Sequence, residues 1–398
     1  MPSLRRTTIC REGWCYLIVL ALVFGGALVR DVNLLIVLSG LMAGPLLLSR
    51  FMAVFTLRGL QVRRKLPPGI CAGELLVSGV TLSNTRRRVG SWAVVVEDQL
   101  QRAANGQGKP RRKNGLHPSV FFPYLPAGQQ RQGAYRGRLP QRGRYQLGPL
   151  RLSTRFPFGM FCHTVTVGKT EPLLVLPRLG RLTRDWMARH HESFAGTNRR
   201  EQRAGADGDF YGIRPWRSGD SRRWIHWRTS ARTGKLMVRQ FEQPRNRDVA
   251  LLVDLWQPPA PQPIERENVE LAVSFAATVV ADLCHKGQSG VYLAAASADG
   301  VPLCGGGPAS PALMQELLEQ LALIEGQSED HLVALLEAVL NRTEPGTELV
   351  LVATRPVDLS DAARLGRLLS DPARRAALRR VRVVDTSSPE LARYFHME

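Results

Sequence analysis

Two long apolar runs open the chain, and nothing like them recurs until the sequence has passed through a long stretch of short, interrupted segments. The first, "WCYLIVLALVFGGALV", occupies residues 14 to 29; the second runs from Leu34 to Phe55 with Arg50 as its only charge. Each approaches the roughly 20 residues that a helix needs to cross a bilayer. The link between them, "RDVN", is too short for a domain. The pattern therefore predicts a transmembrane helical hairpin over residues 1–58, with helices at about 14–29 and 34–55. Arg5, Arg6 and Arg11 precede it and Arg58, Arg63, Arg64 and Lys65 follow it, whereas the link carries one Arg and one Asp. The positive-inside rule then places both termini and the soluble domains in the cytoplasm, on a multi-pass protein of the cytoplasmic (inner) membrane. A cleaved signal peptide over residues 1–29 is the rival reading, opposed by the second apolar run and by the lack of a convincing small-residue cleavage site. Two buried core helices form the other, opposed by the flanking basic clusters.

Beyond residue 60 the period shortens. Runs such as "ELLVSGVTLSN" (74–84) and "SWAVVVEDQL" (91–100) are β-branched and partly alternating, with frequent Gly and Pro between them. This favours strands and predicts an antiparallel β-sandwich-like domain over residues 60–180. Residues 101–115, polar and basic, predict an exposed loop. From residue 248 the pattern changes again: an apolar strand "DVALLVDLW" (248–256), an amphipathic helix at 265–287, then strands at 289–297, 347–354 and 380–385 alternating with helices near 309–324, 328–341 and 358–370 and a final short helix. Strands alternating with helices imply a doubly wound α/β domain over residues 248–398, in which ligands sit beyond the carboxyl ends of the strands. No dinucleotide or P-loop glycine pattern follows its first strand, and "CGGG" (304–307) reads as a turn.

Charge divides the chain the same way. Residues 249–398 hold 12 Lys/Arg against 20 Asp/Glu, leaving 42 against 14 for residues 1–248 within a net charge of +20. A basic front of this size suits an anionic partner such as lipid headgroups, nucleic acid or an acidic protein surface. The six cysteines show neither C-x-x-C spacing nor a dense framework, so neither a zinc site nor a disulfide scaffold is encoded and a reducing compartment fits. Cys284 beside His285 reads as structural, since neighbours on a helix diverge.

Between the two patterned regions, residues 181–247 contain "RSGDSRRWIHWRTSAR" (217–232), with five arginines, two tryptophans and a single acid. Asp220 after Gly219 is placed to cap a helix, Trp224 and Trp227 to share one helical face, and Thr233-Gly234 to end it before a strand. Packing anchors explain the tryptophans most simply; a protein-docking surface comes next, because Trp and Arg are the usual hot-spot residues. Base stacking beside phosphate-binding arginines is the weaker alternative, which makes a nucleic-acid partner the less favoured one. Catalysis would require His226 with Ser230 and an orienting acid, a constellation for which sequence proximity argues little.

The stretches "RGRYQLGPLRL" and "FPFGMF" (142–161) and above all "DFYGIRPWRSGDSRRWIHWRTSARTGKLMVRQFE" (209–242) resemble the domain of unknown function 58 family of bacterial and archaeal membrane proteins. The family pattern is met by Phe210, Arg214, Gly219, Asp220, Arg223, Ile225, Trp227, Ser230, Ala231 and Arg232. Asp209 stands where Glu is usual, Trp216 where Tyr is common and His226 where Asp is common. The resemblance implies a von Willebrand factor type A-like last domain, whose metal site reads D-x-S-x-S after the first strand. Here Trp256 and Pro258 take the serine positions after Asp254, which leaves Asp254 as a weak remnant of that motif and implies no metal and no cofactor. It also implies a MoxR-type AAA+ ATPase partner, and a transglutaminase-like membrane protein nearby. The expectation is a non-catalytic, membrane-anchored adaptor or assembly protein whose Arg/Trp segment joins domains or contacts the ATPase. The alternatives are a basic-surface binder of anionic lipid or nucleic acid, and an enzyme of unknown type.

Overall fold

The computed structural model describes residues 5–397 except 31–32, 68, 104–115, 169, 187–208, 219, 243–247, 288, 297–301 and 345. The loop expected at 101–115 thus lies almost wholly outside the described residues. Two compact units divide the chain, Met1–Arg178 and Leu179–Glu398.

In the first unit, helices α1 (Arg11–Arg30) and α2 (Asn33–Thr56) are both long and apolar enough to cross a membrane. At about 1.5 Å per residue each is as long as a hydrocarbon core of about 30 Å is thick. Their apolar windows are only 11% and 17% buried, so most of that surface faces outward. The buried positions of α2 are largely small, Ser39, Ser49, Ala53 and Thr56 with Leu46, as close helix packing in lipid requires. Tyr16 donates to the Met42 carbonyl at 2.9 Å, joining the two helices.

Helix α1 is preceded by a strand the sequence pattern did not predict. β1 (Arg5–Ile9) pairs antiparallel with β11 (Phe161–Val167), so the chain enters α1 from the β-rich part of the unit and returns to it from α2 through β2 (Leu60–Lys65). Arg86 secures the return. Its guanidinium donates to the Phe55 and Thr56 carbonyls at 2.8 and 3.2 Å and lies over the Phe55 ring, adding donors to carbonyls at the helix end. Burial lowers the Arg86 pKa without removing its charge.

Three sheets build the β-rich part. One runs β1–β11–β10–β5–β7, with β10 (Leu150–Thr154), β5 (Ser91–Glu97) and β7 (Ser119–Leu125); a second runs β3–β12–β9–β6, with β3 (Ile70–Cys71), β12 (Glu171–Leu176), β9 (Gly143–Leu147) and β6 (Leu100–Arg102). The third is β2–β4–β8, with β4 (Leu75–Asn84) and β8 (Gln130–Arg138). Pairing is antiparallel except between β3 and β12. Alternation along β4 and β5 sends Leu76, Val80, Leu82, Val94 and Val96 into one core shared with Leu147, Leu152 and Val175.

Within that core lies an ion pair. Arg64 on β2 donates from Nε and Nη2 to Asp98 at 2.8 and 2.6 Å, and the two side chains are 2% and 0% exposed. The Tyr135 hydroxyl on β8 donates to the same carboxylate at 2.5 Å, and Arg64 also reaches Glu171 on β12 at 3.2 Å. Burial, reinforced by the bond to Asp98, pushes the Tyr135 pKa up and keeps the phenol protonated.

In the second unit the sheet order is β18–β17–β16–β19–β20. The strands β16 (Val249–Asp254), β17 (Gly290–Ala296), β19 (Glu348–Ala353) and β20 (Arg382–Asp385) are parallel, and β18 (Pro302–Pro308) is an antiparallel edge. β18 contains the glycines expected to form a turn. A Cβ at Gly306 would lie 2.3 Å from the Tyr292 ring, so close cross-strand contact, not turning, explains that glycine. One sheet face places Ala250 and Leu252 against α6 (Leu332–Arg342), α7 (Ala362–Leu369) and α8 (Pro372–Leu378) through Leu335, Leu336, Leu365 and Leu378. The other packs on α4 (Pro263–Lys286), a helix as long and apolar as a membrane span but 72% buried. Helix α5 (Pro311–Leu323) packs beside α4.

The final segment is a 3₁₀ turn, Pro389–Arg393, and then β21 (Phe395–Met397), which pairs with β13 (Gly180–Leu182). Trp186, just beyond β13, meets Phe275 of α4 edge-on at 5.1 Å. Residues 180–186 therefore belong with the α/β core.

Replacing Asp98 by Ala leaves Arg64 charged in the core with only the half-exposed Glu171 to offset it, and should cost about 3–5 kcal/mol. Thermal melting of the full-length chain in mild detergent checks this; an unchanged midpoint would refute the role given to the pair.

Candidate functional site

The Arg/Trp segment folds as a small self-contained module. β14 (Asp209–Pro215) and β15 (Met237–Glu242) form an antiparallel pair with an irregularity between Phe210 and Gly212. Trp216 extends it by donating its amide to the Leu236 carbonyl, and Ile225 forms a bridge back to Val238. The intervening chain folds over this pair through a turn, a 3₁₀ segment (Arg222–Trp224) and α3 (Trp227–Thr233), which ends at Gly234 in the left-handed region at φ 68°.

Asp220 caps no helix. Its carboxylate receives both Nη groups of Arg214 at 2.6 and 2.7 Å and the Arg217 amide at 2.7 Å, closing the turn onto the end of β14. Those bonds, led by Arg214, hold its pKa below the usual carboxylate value. The cap of α3 is His226, whose Nδ1 accepts the Thr229 amide at 3.2 Å. Ser230 is buried with its hydroxyl committed to backbone: it accepts the Met237 amide at 2.8 Å and lies 3.0 Å from the His226 carbonyl. His226 and Ser230 thus serve the module's own backbone.

Trp224 and Trp227 do not share a helical face, because the first lies in the 3₁₀ segment and the second begins α3. Trp227 is 68% exposed, not packed. Arg223, Ala231 and Arg232 are exposed, as are Arg217, Arg222 and Arg228, while Ile225 is half-buried. Of the other motif residues, Phe210 sits on β14 and Gly219 lies outside the described residues.

A second constellation occupies the α/β sheet at the carboxyl ends of β16 and β19, where the strand order reverses and such sheets form a crevice. Asp254 is 2% exposed there, and burial raises its pKa. Arg355 lies 3.5 Å from Asp254 and 2.7 Å from Asp330, and its guanidinium stacks over Trp256 at 4.8 Å. Arg364 also binds Asp330. Burial alone would raise the Asp330 pKa, but the Leu332 amide and the two guanidinium groups outweigh it and the net shift is downward. Trp256 is fixed by its Nε1 donating to the Ser328 carbonyl at 3.1 Å. Two carboxylates and two guanidiniums thus close the crevice internally. Among the described residues, no group of three or more His, Cys, Asp or Glu is placed to hold a metal. Sequence reasoning missed Arg355, Asp330 and Arg364; a charged residue at or just past the end of each of two apolar strands, Asp254 on β16 and Arg355 beyond β19, was the available signal.

These features define a protein with two membrane-length helices, a β-rich unit and a mixed α/β unit. Residues 212–393 match the family model for "Protein of unknown function DUF58", the family that the sequence resembles. No curated protein matches the chain. Solved structures match weakly. A β-glucosidase from Listeria innocua is 14% identical over 29% of this chain and 16% of its own, with TM-score 0.20. The CARDB domain of a Pyrococcus furiosus protein is 14% identical over 29% and 91%, with TM-score 0.18. Spo0M, a sporulation control protein from Bacillus subtilis, is 11% identical over 39% and 57%, with TM-score 0.20.

Replacing Asp220 by Ala should loosen the module by about 1–2 kcal/mol, the scale of a partly exposed charge-assisted pair. Because its folded pKa is depressed, the carboxylate contributes fully above its ordinary pKa of 3.8, and the contribution is lost as pH falls through the lower folded value. Amide exchange at Trp216 and Met237, corrected for intrinsic rates, should separate variant from wild type at neutral pH and converge in strong acid. Equal protection at neutral pH would show that the pair does not hold the turn.

Proposed function

We propose that this chain is a membrane-anchored, non-catalytic adaptor that presents its Arg/Trp module to a MoxR-type AAA+ ATPase, with the soluble units in the cytoplasm. The observation that carries the reading is the exposed Trp227, surrounded in sequence by five exposed arginines, on a module whose buried groups are spent on its own backbone. Trp and Arg dominate protein-docking energetics, and a rigid display lowers the cost of ordering them. The ATPase as partner comes from the family resemblance. A hairpin topology is supported by β1 and β2, which flank the two helices and both join the β-rich unit.

A von Willebrand factor type A-like reading of the last domain draws support from the strand order with its single antiparallel edge. The residues do not fit that fold's metal site. Trp256 and Pro258 replace its hydroxyl ligands, and the Arg355 guanidinium neutralises Asp254 from beside it. The domain then works as a metal-independent scaffold.

A tagged full-length chain, purified in mild detergent with ATP or ADP, should recover an AAA+ ATPase in a nucleotide-dependent way. Trp227→Ala should cut that recovery about tenfold or more while leaving the melting temperature unchanged. Absence of an ATPase in both nucleotide states, or undiminished recovery by the variant, would sink the proposal. Separately, saturating magnesium should leave the wild-type melting temperature unchanged, whereas Arg355→Ala should lower it by exposing Asp254 and Asp330 to each other. A magnesium-dependent rise in the wild type would overturn the metal-independent reading.

A further inference from the structure

The five-stranded sheet of the first unit turns one face to the shared core and leaves the other open. An antiparallel sheet with one solvated face carries ordinary polar alternation there. What stands on this face is more selective. Cross-strand register aligns Glu97, Arg151 and Thr166 in one row, and Val95, Ser153, Thr164 and Arg6 in the next. Thr8 lies opposite Cys162 in a third row, with Arg155 at the end of β10. These residues line a concavity of about 610 Å³. Three guanidiniums and five hydroxyl side chains share its lining with a single carboxylate, Glu97, and neither Arg6 nor Arg151 has an ion-pair partner among the described residues.

The position of the concavity narrows its occupant. Rows spaced two residues apart lie about 7 Å from one another. The row with Thr8 and Arg155 is nearest the start of α1, because Cys10 donates its amide to the Met160 carbonyl at 2.8 Å. The turn after Arg155, "FPFG", abuts the first turn of α1 so closely that a Cβ at Gly13 would lie 2.3 Å from the Met160 oxygen. Phe158 in that turn and Trp14 in α1 are both exposed, as aromatic side chains at a membrane interface are. The basic, hydroxyl-lined groove therefore opens beside the level at which the hairpin enters lipid.

We infer that this groove binds the phosphate-bearing headgroup of an anionic membrane lipid, with Arg6 and Arg151 pairing the phosphate and Ser153 and Thr164 bonding the headgroup oxygens. Arginine forks match phosphate geometry, and a volume of this size accepts a small ligand. The inference rests on the membrane-spanning reading of α1 and α2 and is independent of the ATPase partner.

The test uses the full-length chain in nanodiscs of mixed phosphatidylcholine and phosphatidylglycerol, with retained lipids counted by native mass spectrometry. Resistance of the cellular protein to alkaline extraction checks the membrane reading separately. The wild type should retain phosphatidylglycerol preferentially. The double substitution Arg6→Gln with Arg151→Gln should lower that preference about tenfold, and Ser153→Leu with Thr164→Leu, which fills the groove at constant charge, should do the same. Arg131→Gln with Arg138→Gln, the same change of charge on exposed positions of β8, should leave it intact. Equal loss in the β8 control would reduce the effect to general electrostatics and overturn the site. Undiminished preference in both groove variants would overturn it directly, and glycerol phosphate binding in detergent as tightly as the lipid would overturn the lipid as its source.

Discussion

The β-rich unit depends on a charge placed where charge is most expensive. Arg64 and Asp98 are both buried, and the desolvation of each is offset only because the partners are complete. Arg64 leaves from the β2–β4–β8 sheet, Asp98 stands between β5 and β6 at the junction of the other two, and Tyr135 and Glu171 close the remaining valences. Apolar contact alone specifies that sheets face each other, but it tolerates sliding; a bidentate pair bonded to three sheets permits one registry. The hairpin inherits that registry, since α1 and α2 leave from strands of the same unit and Arg86 binds the end of α2 directly.

The same device recurs with different tasks, and it changes how the basic front half is read. Arg64 is interior, Arg86 is spent on helix carbonyls, and Arg214 is spent on Asp220. Part of the positive count is thus spent inside the protein. Among the arginines that remain outward, those of the module stand beside an exposed Trp227, and Arg6 and Arg151 stand on a hydroxyl-rich sheet face.

Much of the architecture was legible because it follows from periodicity. The two apolar runs, the alternating strands of the middle and the strand and helix succession of the rear are local patterns whose burial the fold merely completes. β1 was not legible, since "RRTTI" carries no apolar face and becomes a strand only because β11 offers it an edge. β18 was hidden by its glycines, which disfavour strands intrinsically but are needed for close approach to Tyr292. In the module, the spacing of Trp224 and Trp227 suggested one helix because sequence does not reveal that Ile225 breaks out to bridge Val238. Asp220 had the neighbours of a cap, yet its carboxylate binds backwards, to Arg214 six residues before it and to the Arg217 amide. Arg355 joins Asp254 from just beyond β19, 101 residues away in sequence, so that each is visible as a charge at a strand end but their pairing is not.

Two places in the chain contrast in how their charges are arranged. The crevice at the carboxyl ends of β16 and β19 is where an α/β sheet ordinarily receives a ligand, and here its charges already neutralise one another, with Trp256 stacked across Arg355. A ligand entering there would have to break Arg355 from two carboxylates, one of them buried, before making any contact of its own. The groove on the five-stranded sheet has the opposite economy: its guanidiniums face open space and an anion meets no internal partner to displace. The two places thus differ in what an incoming anion would meet: paired charges in the α/β unit, and guanidiniums beside hydroxyls on the sheet face of the other.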